Sequence, residues 1–176
     1  MAEIWLPAKG FEDFYEVSDH GRVRSLDRTV WDERGYWKSV RGRVLQQPLS
    51  GMYPSVTLHQ NPLPPKKIRV HLLVLETFVS MRPTGMHACH YDDNPLNNRL
   101  DNLRWDTPLA NRMDEIRNGK NRNANKTHCR RGHEYTTVNT IEAHRGNGNR
   151  FRTCRECARE SSRRYREKKT KMIAAQ

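Results

Sequence analysis

The chain has few apolar residues and no long apolar run. Hydrophobic residues make up 35% of the 176 residues, aromatic residues 8%, and the mean hydropathy is -0.99. This composition argues against one large core and favours several small units, at least one of which needs an extra constraint. The most apolar segment, VHLLVLETFV, is shorter than the roughly 20 residues of a membrane-spanning helix. We therefore expect a soluble protein with no membrane partner.

The sequence also lacks the marks of export. Its first residues, MAEIWLPAKG, have neither the basic nor the apolar region of a signal peptide. Only four cysteines are present, and in a protein that is not exported they are not expected to form disulfides. We therefore expect a cytoplasmic protein.

Acidic residues are scarce in the last third of the chain. Residues 1–111 contain 14 Lys/Arg and 13 Asp/Glu, whereas residues 112–176 contain 18 and 7. Nearly all of the net charge of +12 therefore lies in the last third. A concentrated cationic surface favours a polyanionic partner, above all nucleic acid. A solvated basic tail without a dedicated partner is the alternative.

The patterns along the chain predict an α+β protein made of several modules. Residues 1–64 alternate short strand patterns with Gly turns and form a β-rich module. Residues 65–119 form a second module, and residues 120–128 an exposed linker. Residues 129–176 form a Cys/His unit that continues into a basic helix.

Within the second module the predicted order is helix, strand, polar loop, strand, helix. The Pro-rich segment NPLPPKK is read as a break before the first, buried helix, which is predicted in IRVHLLVLETFV. Strands are predicted at MHACH and near NLRWDT. The last helix is predicted to begin with Thr107 as N-cap and Pro108 in its first turn, and to end before Gly119.

Two close pairs of residues have the spacing of zinc ligands. Cys129 and His133 are separated by three residues, Cys154 and Cys157 by two, and the pairs by 20. Two turns that each deliver two ligands suit a tetrahedral zinc ion, and four protein ligands indicate a structural Zn²⁺ site. With so little apolar sequence nearby, metal binding would supply most of the folding energy. The alternatives to His133 as the nitrogen ligand are His128 and His144.

The segment between the pairs is predicted to be a hairpin with a Gly/Asn turn at residues 145–149. Arginines around the cluster and on the basic helix are predicted to contact phosphate. Arg22 and Arg24, at alternate positions of one predicted strand, would share a face toward the DNA backbone. The full set of predicted DNA-binding residues is Arg22, Arg24, Arg99, Arg104, Arg152, Arg163 and Arg164.

The stretch CHYDDNPLNNRLDNLRW, which begins at Cys89, is an Asn- and Asp-rich loop around one His. No Ser or Cys is obviously paired with a base in the manner of a nucleophilic triad. A neutral imidazole that takes a proton from water, beside a hard cation that stabilises charge on phosphate, fits this pattern better. Most of the Asn side chains are expected to hydrogen-bond their own backbone and hold the loop.

The segment VHLLVLETFV…MHACHYDDNPLNNRLDNLRWDTPLAN resembles the HNH homing endonucleases of the phage type, over about residues 68–114. The N-terminal EIWLPAKGFEDFYEVSDHGRVRSL is similar to the nuclease-associated modular domain that precedes such a core. The Cys/His unit more loosely resembles accessory units of phage HNH proteins. The resemblance implies a ββα-metal core and a DNA endonuclease, here of a nicking or homing kind.

The resemblance also implies roles for three residues. His90 would be the general base that activates water, and Asn102 would orient the loop and support His90. Asn111, on the following helix, would donate its carbonyl oxygen to a catalytic Mg²⁺ or Mn²⁺. Double-stranded DNA would be the partner, bound by a monomer that nicks one strand, in the host cytoplasm if the gene is carried by a phage.

Cys89 departs from the family pattern, in which an Asp that binds the metal often precedes the catalytic His. A thiol is a poor ligand for Mg²⁺. Four alternatives follow: phosphate oxygens and water complete the coordination shell of the metal, Asp92 or Asp93 contributes a ligand, Cys89 favours a softer ion, or cleavage is weakened or lost. The competing functions are a non-catalytic zinc-containing DNA-binding protein that retains the HNH scaffold, and an RNA-binding zinc protein.

Overall fold

The computed structural model describes residues 2–60, 62–144 and 150–174. It confirms the predicted α+β class, with several small sheets and three α-helices within these ranges. The chain divides into two compact units, residues 1–121 and 122–176. The predicted linker, residues 120–128, spans this division. Among the described residues no helix combines the length and apolarity that crossing a membrane would require.

The first unit begins with the antiparallel sheet β1 (Trp5–Pro7), β2 (Tyr15–Ser18) and β3 (Val23–Ser25). The predicted hairpin around DHG is confirmed as the β2–β3 pair. Alternate residues of both strands are buried, so that one face of the hairpin packs on the core.

Two further antiparallel groups of strands follow. The hairpin β4 (Arg28–Trp31) and β5 (Trp37–Val40) comes first. A three-stranded sheet then contains β6 (Leu49–Ser50), β7 (Tyr53–Gln60) and β8 (Leu63–Arg69), with β7 in the centre.

The segment NPLPPKK was read as a break, and this prediction is wrong, because it lies largely within β8. Lys66 and Lys67 pair with Leu58 and Thr57 of β7. A central strand uses its N–H groups to bond to neighbouring strands on both sides, and proline has no N–H. Proline is therefore tolerated in an edge strand, which has only one neighbour. Strand β8 is such an edge strand, since it pairs with β7 alone among the described strands.

Helix α1 (Val70–Phe78) follows β8 without a loop and is the buried helix that the sequence predicted. Leu73, Val74 and Leu75 are fully buried. They join one apolar core with residues on both sides of the predicted boundary at 64/65, which itself lies inside β8. The division of this unit into two modules stays a prediction. The other core residues are Ala8, Phe11, Tyr15, Val17, Val23, Val56, Leu58, Val70 and Leu103.

The rest of the first unit has the predicted order of strand, loop, strand and helix. Strands β9 (His87–His90) and β10 (Leu103–Asp106) pair antiparallel, and α2 spans Pro108–Arg117. Thr107 is confirmed as N-cap, because its hydroxyl accepts a hydrogen bond from the backbone N–H of Ala110 at 3.2 Å. Gly119 follows the C-cap residue of α2 with φ +66°, as predicted for a helix-ending glycine.

The second unit contains the hairpin β11 (Thr140–His144) and β12 (Arg150–Cys154), followed directly by α3 (Arg155–Ala174). The Gly/Asn turn predicted at residues 145–149 lies outside the described residues. Of the described apolar residues in this unit, only Cys154 is buried. Burial of apolar surface therefore contributes little to the stability of this unit.

Candidate functional site

A cleft of about 810 Å³ opens in the first unit beside the end of β9. His90 and Asn111, two of the residues assigned to catalysis, both line this cleft. Cys89 and Asn102 lie outside the lining. The other lining residues are Met52, Tyr53, Arg69, His71, Leu72, Arg82, His87, Ala88, Asp93, Pro95, Glu115 and Lys120.

His90 is the last residue of β9 and is largely buried, with 7% of its surface exposed. Its Nε2 lies 3.3 Å from the side-chain oxygen of Asn98. An amide oxygen only accepts hydrogen bonds, so Nε2 carries the proton and Nδ1 keeps its lone pair. Burial lowers the pKa of His90 below its usual value, although Asn98, Asp92 and Asp93 oppose this shift. The imidazole is therefore neutral near pH 7 and able to accept a proton.

Asn98 was read only as a loop residue, yet it is the hydrogen-bond partner of His90. The β2–β3 turn holds it in place. A Cβ at Gly21 would lie 2.6 Å from the carbonyl oxygen of Asn98, so only glycine allows this approach. The N–H of Leu100 donates to the carbonyl oxygen of Asp19 at 2.8 Å. This contact joins residues 81 positions apart, which no local sequence pattern encodes.

Asn102 is buried and fixes the shape of the loop between β9 and β10. Its side-chain N–H groups donate to the carboxylate of Asp92 and to the carbonyl oxygen of Asn97, both at 2.9 Å. Its side-chain oxygen accepts from the backbone N–H of Asp92 at 3.2 Å. Asn102 thus bonds to the loop itself, whereas Asn98 contacts His90; the catalytic role of Asn102 stays a prediction.

Asn111 reaches the cleft from the first turns of α2. Its backbone N–H donates to the carbonyl oxygen of the N-cap Thr107 at 3.1 Å. Asp93 and Glu115 also line the cleft. The amide oxygen of Asn111 and these two carboxylates are hard donors of the type that Mg²⁺ and Mn²⁺ bind.

Cys89 is 1% exposed and lies on the other side of β9 from His90, since successive side chains of a strand alternate. Burial raises the pKa of its thiol, with Asp106 and Asp114 adding to this effect and Arg104 opposing it. The thiol is therefore protonated near neutral pH and directed away from the cleft. Both carboxylate oxygens of Asp92, another alternative metal ligand, accept hydrogen bonds from the side chains of Asn97 and Asn102.

Arg104 belongs to an ion-pair network that attaches α2 to β10. Its guanidinium bonds the carboxylates of Asp106, at 2.7 Å, and of Asp114. Asp114 is buried and also pairs with Arg117 at 2.9 Å. Removing one partner of such a buried network typically costs about 3–5 kcal/mol. The structure thus gives Arg104 internal partners, and its predicted contact with DNA stays a prediction.

Arg24 lies in β3 and Arg22 directly precedes it, and both guanidinium groups lie over the ring of Trp5, at 5.7 and 4.3 Å from its centroid. Each is also paired with an acidic residue, Glu3 and Glu16 respectively. Arg99 is exposed and pairs with the neighbouring Asp101 at 3.3 Å.

A second histidine, His71, lies beside His90 in the cleft. The two ring centroids are 5.2 Å apart, and that of Tyr53 is 5.0 Å from His71. Only 4% of His71 is exposed. Burial first, then the proximity of His90 and Arg69, lowers the pKa of His71 to about 3.

This depressed pKa predicts that acid destabilises the first unit. The unfolded chain protonates His71 near pH 6.5 and the folded chain only near pH 3, so the unfolded state binds more protons in this range. The free energy of unfolding should fall by about 1.4 kcal/mol per pH unit as the pH drops below 6.5. Between pH 6.5 and 4.5, the free energy of unfolding of His71→Phe should therefore fall by about 2–3 kcal/mol less than that of the wild type.

Urea unfolding at a series of pH values measures this difference. His59→Phe is the matched control, because His59 is exposed on β7 and outside the cleft. Parallel pH curves for wild type and His71→Phe would contradict the prediction.

In the second unit, Cys129, His133, Cys154 and Cys157 form a cluster whose ligand atoms lie within 4.8 Å of one another. The shorter separations, from 3.3 to 3.6 Å, involve sulfur atoms and Nδ1 of His133. Metal–ligand bonds of zinc imply separations of about 3.5–3.8 Å at the edges of a tetrahedron. A disulfide needs sulfurs about 2.05 Å apart, and all four cysteines are free.

The electrostatics of this cluster favour a bound cation. Burial and the sulfurs of Cys129 and Cys154 raise the pKa of Cys157 to about 11. Burial opposes ionisation of the other two thiols, but N–H donors lower the pKa of both. Three thiolates at this distance repel one another unless a cation lies between them. The donor set and its spacing therefore fit a metal ion.

The predicted DNA-binding arginines of the second unit differ in their surroundings. Arg152 donates to three backbone carbonyl oxygens, of Asn123, Ala124 and Lys126, at 2.6–2.9 Å, and so holds that segment. Arg163 and Arg164 lie on the exposed surface of α3 and pair with glutamates one turn away.

Two segments of the first unit are similar to known families. Residues 3–59 match the NUMOD4 motif family, and residues 69–113 match the HNH endonuclease family. Residues 69–113 are thus similar to HNH endonucleases. The matched segment includes α1, both strands of the β9–β10 pair and the start of α2, with His71, His90 and Asn111 inside it.

Two proteins are similar to the chain in sequence or structure. An uncharacterized HNH endonuclease of Acanthamoeba polyphaga mimivirus is 31% identical over 110 residues, which are 60% of this chain and 24% of that protein. The chain thus matches about a quarter of the length of this curated relative. A solved structure on DNA binding and cleavage by the HNH homing endonuclease I-HmuI aligns with a TM-score of 0.47 and 22% identity, over 90% of this chain and 82% of that one.

Proposed function

We propose that this protein is a metal-dependent DNA endonuclease, of the nicking or homing kind found in phages, with His90 as its general base. One observation carries the proposal: a buried, neutral His90 lies in a cleft of the segment that resembles HNH endonucleases, and its Nε2 is bonded to Asn98, which leaves Nδ1 as the nitrogen that can accept a proton. A rigidly held imidazole that is neutral at pH 7 suits general base catalysis.

In the proposed reaction Nδ1 of His90 removes a proton from a water molecule. The resulting hydroxide forms a bond to the phosphorus, and the bond from phosphorus to the ester oxygen breaks. The leaving oxygen takes a proton from solvent, and His90 returns its proton to solvent. Asn98 keeps the imidazole in the required tautomer, and Asn102 keeps the loop in shape. A positioned base contributes about 10²–10⁴-fold to the rate.

A divalent cation, when bound, would stabilise the charge that develops on the phosphate oxygens. We assign its protein ligands to Asn111 and Asp93, which supply hard oxygen donors from the lining of the cleft. Cys89 is excluded from this set because its thiol is buried on the opposite side of β9. Mg²⁺ or Mn²⁺ suits these donors. The site is therefore able to cleave although Cys89 stands where the family often has a metal-binding Asp.

The proposed substrate is double-stranded DNA. The exposed helix α3 carries eight Lys/Arg against three Glu, which supports a role in gripping phosphates. Arg22, Arg24 and Arg99 on the first unit would add backbone contacts, whereas Arg104 and Arg152 would act by holding the fold. One cleft per chain would cut one strand per binding event, so a monomer would nick its target.

The Cys/His cluster is proposed to hold a structural Zn²⁺. All four positions are filled by protein ligands, which leaves no coordination site for a substrate. The second unit would then owe its fold to the metal, since few of its described apolar residues are buried.

Plasmid nicking tests the proposed activity. Supercoiled plasmid should be converted to the open circle in Mg²⁺ or Mn²⁺, and EDTA should stop the reaction. The ends are then mapped by sequencing to locate the cut. A protein that is folded and zinc-loaded but cleaves with none of Mg²⁺, Mn²⁺ and Co²⁺ would contradict the proposal.

A further inference from the structure

The first turn of α1 has features that its own packing does not explain. Arg69, its N-cap residue, makes no side-chain capping bond, and the first turn of the helix carries no acidic residue within the described structure. The first N–H groups of a helix lack intrahelical partners and attract anions. Two residues of this turn, His71 and Leu72, line the cleft that contains His90.

His71 supplies the second, independent observation. The residue is more than nine-tenths buried, and its Nδ1 has no hydrogen-bond partner among the described residues. An unpaired polar atom in this position costs about 1–3 kcal/mol. Phenylalanine or leucine would fill similar space without that cost, so packing alone does not account for a histidine here.

The surroundings of His71 suit an anion. The guanidinium of Arg69 lies 4.6 Å from the ring centroid of Tyr53, which itself lies against His71. Arg82 and Lys120 also line the cleft. Lys120 is bonded to the carbonyl oxygens of Asp92 and Asp93, so its charge is held at the loop that carries His90.

We propose that His71 and the N-terminal turn of α1 form a binding subsite for the phosphate that is cut. The ring N–H of a neutral His71 donates to a non-bridging oxygen, and Arg69 supplies positive charge. His90, whose ring centroid is 5.2 Å away, then faces the same phosphate. This inference rests on the proposed nuclease function and adds a substrate-binding residue to it.

The experiment compares plasmid cleavage by full-length wild type, His71→Phe and His71→Gln, with His59→Phe as control. We expect His71→Phe to lower kcat/KM about 10- to 100-fold, the usual effect of losing a hydrogen bond to a charged group. His71→Gln keeps an N–H donor and should retain more activity. The Tm of His71→Phe at pH 7 should equal or exceed that of wild type, because the variant removes an unpaired buried polar atom.

A second measurement does not depend on turnover. Binding to a duplex that spans the mapped cut site is measured in a His90→Ala background, with a neutral methylphosphonate at the scissile position. The methylphosphonate should weaken binding by the His90→Ala protein. In the double variant with His71→Phe the methylphosphonate should have little effect on binding, because the hydrogen bond from His71 to the phosphate is already absent.

The outcomes separate this inference from the proposed function. Absence of cleavage by wild type would overturn both. Normal cleavage by wild type together with normal kcat/KM for His71→Phe would overturn the subsite alone. A Tm of His71→Phe well below that of wild type, or an undiminished effect of the methylphosphonate in that variant, would show that His71 is structural and would also overturn the subsite.

Discussion

Replacing His90 with alanine is expected to reduce plasmid nicking by about 10²–10⁴-fold while leaving DNA binding intact. His90 is the neutral imidazole in the cleft with a free Nδ1, and a methyl group cannot take the proton from water. DNA binding should persist because the proposed phosphate contacts come from residues other than His90. Nicking kinetics and a gel-shift assay in Ca²⁺ measure the two effects separately.

His59→Ala is the matched control, since this exposed histidine lies outside the cleft and should leave both activities unchanged. The comparison also decides between an enzyme and a non-catalytic DNA-binding protein with an HNH scaffold. A binding protein would show no cleavage for His90→Ala to remove. Nicking by His90→Ala at the wild-type rate would rule out His90 as the base.

Removal of zinc is expected to unfold the second unit and leave the first unit folded. Zinc contributes about 10–16 kcal/mol of apparent binding free energy to small zinc domains at pH 7. Among the described apolar residues of this unit only Cys154 is buried, so apolar packing cannot replace that contribution. Cys157→Ser should therefore lose bound zinc and much of the helical signal of α3. The purified wild type should contain one zinc per chain, measured by elemental analysis.

The distribution of tryptophans makes this test selective. All four lie in the first unit, so tryptophan fluorescence reports on that unit, whereas circular dichroism at 222 nm includes the 20 residues of α3. Cys89→Ala is the matched control, because Cys89 is outside the cluster and should not affect zinc content. Full zinc content in Cys157→Ser, or an unchanged helical signal after its loss, would contradict the prediction.

The features that the sequence predicted well depend on local spacing. The caps of α2 at Thr107 and Gly119 follow from residues within a few positions of each helix end. The four residues of the Cys/His cluster form two pairs with fixed short spacing, so each turn brings its own two ligands together. The family resemblance led to His90 and Asn111, which the fold does bring to one cleft.

The features that the sequence did not reveal depend on contacts between distant residues. Asn98 looks like any loop asparagine until the β2–β3 turn presses against it at Gly21. Arg104 looks like a surface cation until α2 brings Asp114 to it. The unpaired nitrogen of His71 is visible only once the helix is buried beside β9 and β10.

The edge strand β8 has a consequence for how the protein behaves at high concentration. A free strand edge is a template on which a second molecule can add a strand, which leads to aggregation. Pro64 and Pro65 present no N–H to such a strand, and Lys66 and Lys67 place two like charges beside them. The same prolines that resemble a break in the sequence therefore protect the sheet beside the cleft from pairing with a neighbouring molecule.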